Sequence, residues 1–167
     1  MKRGLRVILA VIILLALIGL VLGVDWIQRK DASRPVGTAT SLPAGSIPIY
    51  RDGELVGGFS PTDLGKLEKV SFTDAAEGKL QDGWLLRDVL LLYLPAAQLQ
   101  PNTPIIVSSS SRGKSTQLNW SEIQEQANMV MFDLSNRGTL KLVSLLPKLD
   151  MRDEWVQDVD RIEIGLP

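Results

Sequence analysis

The sequence predicts an α+β protein: a single mixed-sheet domain with short helices, preceded by one N-terminal transmembrane helix. Three observations carry that expectation. Residues Val7 to Val24 form an uncharged apolar run. Beyond it, strand-type and helix-type segments follow one another in irregular order, the pattern of α+β rather than regularly alternating α/β chains. The 143 residues from Asp25 to Pro167 suit one domain with a real core.

A spanning helix needs roughly 20 apolar residues. The 18 residues Val7–Val24 come close, and Trp26 and Ile27 extend them to the interface, where a Trp ring is favoured. Residues 7–27 are therefore expected to cross the membrane. Lys2, Arg3 and Arg6 place residues 1–6 in the cytoplasm by the positive-inside rule. The expected protein is a single-pass cell-membrane protein with an extracytoplasmic domain. A cleaved signal peptide would need small residues in an Ala-x-Ala-like pattern, which Val24-Asp25-Trp26-Ile27 does not offer. Gly19 and Gly23 lie four apart on one helix face, where two backbones can pack closely. They are candidates for contact with a membrane-protein partner or a second copy. Glycine is also simply common in membrane helices.

Composition removes several function classes. The chain has 18 Lys and Arg against 19 Asp and Glu, and neither Cys nor His. Without Lys2, Arg3 and Arg6 the balance is 15 to 19, which argues against nucleic-acid binding. Lack of cysteine excludes disulfides and a lipoprotein anchor. Lack of histidine excludes Ser-His-Asp and Cys-His catalysis and imidazole metal sites.

Residues 28–46 are polar and punctuated by Pro35, Gly37, Pro43 and Gly45, so they read as a linker. The domain, residues 47–167, begins with Ile47–Tyr50 and Leu55–Val56, two strands around the turn Arg51-Asp52-Gly53. Ser60-Pro61-Thr62-Asp63 then has the signature of a helix start. Lys69–Thr73 alternates like a strand. Gly83–Leu94 reads as the strongest helix, with Leu85, Val89 and Leu92 on one stripe, Leu86, Leu90 and Tyr93 beside it, and Pro95 as its stop.

Thr103–Ser108 predicts a core strand, Arg112-Gly113-Lys114 a turn, and Ser115–Leu118 the returning strand. Asn119-Trp120-Ser121-Glu122 has the form of a capping box for a helix through about Ala127. Met129–Phe132 and Leu140–Leu145 predict strands, the second after the turn Asn136-Arg137-Gly138. A short helix around Arg152–Val156 and a final strand, Arg161–Ile164, complete the order.

This succession resembles a known family. Gly83-Trp84-Leu85-Leu86-Arg87-Asp88-Val89-Leu90, the strand Ile105-Ile106-Val107-Ser108-Ser109, the Leu118-Asn119-Trp120-Ser121-Glu122-Ile123 segment and the ending Trp155-Val156…Val159-Asp160-Arg161-Ile162-Glu163-Ile164 together resemble the molybdopterin-binding oxidoreductase domain of the sulfite oxidase family. The resemblance covers roughly Ile47 to Ile164 and implies that family's scaffold. It also implies that the loop after the Val70–Thr73 strand is where a molybdenum-ligating cysteine would stand. That loop here is Thr73-Asp74-Ala75-Ala76-Glu77-Gly78, without a cysteine. The expectation is therefore a non-catalytic binding or accessory-subunit domain with no cofactor. The alternative is an oxidoreductase-type domain that holds a molybdopterin without a thiolate.

Candidate site residues are few. Asp74 and Glu77 occupy the loop where the resemblance places an active site. Ser108–Ser111 with Arg112 and Lys114 could bind an anion through hydroxyls and backbone N–H groups, although a charged turn is more often merely solvated. Gly113-Lys114-Ser115 lacks the earlier glycine of a phosphate loop, since Ser108 holds that position. Asp150, Asp153, Glu154, Asp158 and Asp160 match no calcium-loop spacing. Trp84, Trp120 and Trp155 are expected to pack in the core. No metal ligands and no catalytic residues are assigned.

Overall fold

The computed structural model describes residues 41–75 and 77–165. The expected membrane helix, with Gly19 and Gly23, and most of the linker lie outside the described residues. Among the described residues no helix is long and apolar enough to cross a membrane.

The architecture is α+β, with two sheets and a few short helices. Nine strands form: β1 Ile47–Arg51, β2 Glu54–Phe59, β3 Val70–Thr73, β4 Leu80–Leu85, β5 Pro104–Ser109, β6 Lys114–Asn119, β7 Met131–Leu134, β8 Leu140–Val143 and β9 Arg161–Ile164. The α-helices are α1, Leu86–Leu91, and α2, Trp120–Gln124. The strands form two sheets. One is five-stranded in the order β2-β1-β9-β5-β6, mixed because β9 runs parallel to β1. The other is four-stranded and antiparallel, in the order β3-β4-β7-β8.

Local chemistry accounts for most elements. Asp52 and Gly53 both have positive φ, 51° and 83°, as a two-residue turn between antiparallel strands demands. Register follows, with Arg51 opposite Glu54. The Asn119–Glu122 capping box closes as its sequence foretold, with the Asn119 N–H donating to Glu122 Oε2 at 2.8 Å.

Three expectations need correction. The helix foreseen for Gly83–Leu94 is half strand: β4 runs through Leu85, and only Leu86–Leu91 is helical. Trp84 faces the large core between the sheets, whereas Leu85 faces the opposite side with Met131, Val143 and Trp155. A strand covered on both faces has a continuous apolar run, which periodicity alone does not separate from a buried helix. Leu92, assigned to the buried stripe, is exposed. At Ser60–Asp63 the chain makes only a 3₁₀ turn, Asp63–Lys66, and the capping runs backward: Asp63 Oδ2 accepts from the Ser60 N–H and hydroxyl, each at 2.8 Å. Residues 152–154 form a turn and no helix.

Gly83 has its own requirement. A Cβ there would lie 1.8 Å from the Phe132 carbonyl oxygen, so only glycine permits β4 and β7 to approach this closely.

Candidate functional site

The connector between β8 and β9 is the organising element. It crosses one end of the molecule and gathers the loops β3–β4, β5–β6 and β7–β8. Glu77 of the first loop receives Arg152 Nη1 at 3.2 Å. Asp158 of the connector accepts from Arg112 Nε at 2.6 Å, from Arg137 Nη2 at 2.9 Å and from the Thr139 hydroxyl at 2.6 Å. Asp158 itself sits at φ 57°, a left-handed conformation that aspartate tolerates better than most residues. Lys114 Nζ donates to the Asp153 carbonyl.

Between these loops lies a hollow of about 470 Å³, within the range of small-ligand sites. Glu77, Lys79, Leu80, Gln81, Asp133, Arg137, Lys141, Arg152, Trp155 and Gln157 contribute to its wall. A second hollow of about 240 Å³ is bounded by Arg112, Lys114 and Asp153, and shares Arg152, Trp155 and Gln157 with the first. The two hollows adjoin along those three shared residues, and the pair is called the cleft.

Charge is unevenly distributed. The described residues carry twelve Lys and Arg against seventeen Asp and Glu. Six of the twelve, Lys79, Arg112, Lys114, Arg137, Lys141 and Arg152, line the cleft, against the carboxylates of Glu77, Asp133 and Asp153. Asp150, Glu154 and Asp160, also on the connector, line neither hollow. Half of the domain's cations thus collect in one concavity of an otherwise acidic domain.

Each cation is held in place. Glu77 Oε2 takes Lys79 Nζ at 2.5 Å while its Oε1 takes Arg152, and these two donors hold its carboxyl below the usual glutamate range. Lys141 Nζ lies 3.0 Å from Asp133 Oδ2, 2.7 Å from Gln81 Oε1 and 4.8 Å above the Trp155 ring. The buried Trp155 Nε1 has no hydrogen-bond partner among the described residues. The Thr139 hydroxyl, Arg112 and Arg137 depress the Asp158 carboxyl.

Asp74 works behind this surface. It is buried and accepts from the Glu77 N–H at 2.6 Å, the Lys79 N–H at 3.2 Å and Gln81 Nε2 at 2.9 Å. Its pKa is lowered, first by the Glu77 amide. It shapes the loop that presents Glu77 and Lys79 and does not line the cleft.

The four sequence candidates therefore gather at one end, with Glu77, Arg112 and Lys114 on the cleft and Asp74 in support. The serine run is no open anion cradle, because the Ser110 N–H already donates to Asp160 Oδ2 at 2.8 Å. Among the described residues no group of three or more acidic side chains is placed to hold a metal ion. Lys79, Arg137, Lys141, Arg152 and Gln157 carry no sequence signal as a set, because they come from separate loops and strands. The chain matches no family model, and a search of curated proteins finds no match either.

Proposed function

We propose that this chain is a single-pass, membrane-anchored extracytoplasmic domain on a sulfite-oxidase-like scaffold, and that it works by binding a small anion rather than by catalysis. The observation that carries the reading is the concentration of six cations around one cleft in an acidic domain. A low-dielectric hollow lined by cations attracts and orients anions. The chain brings no cysteine thiol and no imidazole to that hollow. Its chemical means are guanidinium and ammonium donors, the Gln81 and Gln157 amides, and apolar walls from Leu80, Leu134 and Trp155.

Calorimetry on the full chain in mild detergent, with inorganic phosphate as probe, tests this. Saturable binding is expected. Lys141→Ala and Arg152→Ala should each weaken it roughly tenfold, the scale of one lost charge-assisted hydrogen bond. Absence of heat with phosphate and sulfate alike would remove the anion reading. Molybdenum and pterin assays on the same preparation should be negative. Stoichiometric molybdopterin would favour an oxidoreductase-type domain that holds its cofactor without a thiolate.

A further inference from the structure

Four of the cleft's six cations form two pairs, each gathered on one carboxylate. Lys79 and Arg152 share Glu77, and Arg112 and Arg137 share Asp158. Each group carries two positive charges on one negative, so each retains an excess of one. The groups share no residue. They lie at the two ends of the short connector stretch from Arg152 to Asp158, whose six steps span at most about 20 Å. Trp155 and Gln157, which line both hollows, stand between them in the chain.

The surface beside the first pair is apolar and open. Leu80 is 68% exposed and Leu134 42%, and both line the larger hollow. Large apolar side chains exposed inside a charged concavity mark a place that a ligand's apolar part would cover.

From this arrangement we propose that the ligand is a dianion with two separate acidic groups on an apolar spacer, such as an α,ω-dicarboxylate. One end is taken by Lys79 and Arg152 and the other by Arg112 and Arg137, with the spacer over Leu80, Leu134 and Trp155. The proposal rests on the anion-binding reading above and specifies its ligand class. Two tethered acidic groups bind more tightly than one because the second contact is intramolecular, provided the spacer fits the gap.

The test is calorimetry on the full chain in mild detergent, comparing propionate with malonate, succinate, glutarate, adipate and longer dicarboxylates. The expected result is an optimum spacer length, at which the dicarboxylate binds at least tenfold more tightly than propionate. Arg152→Gln and Arg137→Gln should each bring the best dicarboxylate to within threefold of propionate measured on the same variant. Arg112→Gln replaces Arg137→Gln if the latter lowers the thermal midpoint. Dicarboxylates within twofold of propionate, or an advantage that survives in both variants, would overturn the two-point site while leaving the anion-binding reading intact. No binding of propionate, phosphate or any dicarboxylate would overturn both.

Discussion

Glu77 is the residue on which the cleft's electrostatics turn. Its single carboxylate engages Lys79 and Arg152 and so occupies the donors an incoming anion would need. Glu77→Gln removes that internal competitor, and phosphate affinity at neutral pH is expected to rise about fivefold, on the scale of one exposed ion-pair contact. Calorimetry reads the change; unchanged or weaker binding would mean that Glu77 does not compete. Gly83 makes a different single-residue demand. A methyl group there meets the Phe132 carbonyl, so Gly83→Ala should cost about 1–3 kcal/mol, the range of overpacking, measured by urea unfolding.

At the scale of elements, β4 and α1 show where pattern reading succeeds and where it stops. Apolar residues at Leu85, Leu86, Val89 and Leu90 are all buried. Leu85 does not share a helical stripe with Val89 and Leu92, because it belongs to a strand and to the smaller cluster on the far face of its sheet. Leu85→Ala should still cost about 2–5 kcal/mol, as truncation of a buried leucine does. Leu92→Ala should stay within about 0.5 kcal/mol, since that side chain is exposed. A helix through Leu94 would give equal losses at both positions. The Asp52-Gly53 hairpin and the Asn119–Glu122 cap were legible because their chemistry is local. Met129, read as strand, instead takes a left-handed conformation, φ 46°, just before β7; no local signal marks it.

For the whole molecule, acid stability follows from two carboxylates, Asp74 within the β3–β4 loop and Asp158 between loops. Asp74 and Asp158 both have depressed pKa values, from the Glu77 amide and from the Thr139 hydroxyl first. A depressed folded pKa contributes stability above the unfolded value, about 3.9, and that contribution is lost as pH falls through the folded value. The thermal midpoint should therefore hold from neutrality to about pH 5 and then fall steeply below about pH 4. Asp158→Asn should flatten that fall. A midpoint that declines equally in wild type and variant would assign the acid sensitivity elsewhere. The proposed anchor predicts that protease added to right-side-out vesicles digests the domain, and that the mature chain begins near Met1.

The chain alone gives the α+β class, seven of the nine strands to within a residue or two, three turns and one helix cap. These depend on neighbours in the chain: alternation, positive-φ residues and side chains that reach a backbone amide three positions away. Tertiary structure alone decided that there are two sheets, that both faces of β4 are covered, and that the cations form a cleft. Lys79, Arg137, Lys141 and Arg152 look like ordinary surface charges along the chain. Only the β8–β9 connector, through Arg152 and Asp158, draws them together, and contacts between residues so far apart in sequence leave no periodicity or motif to read.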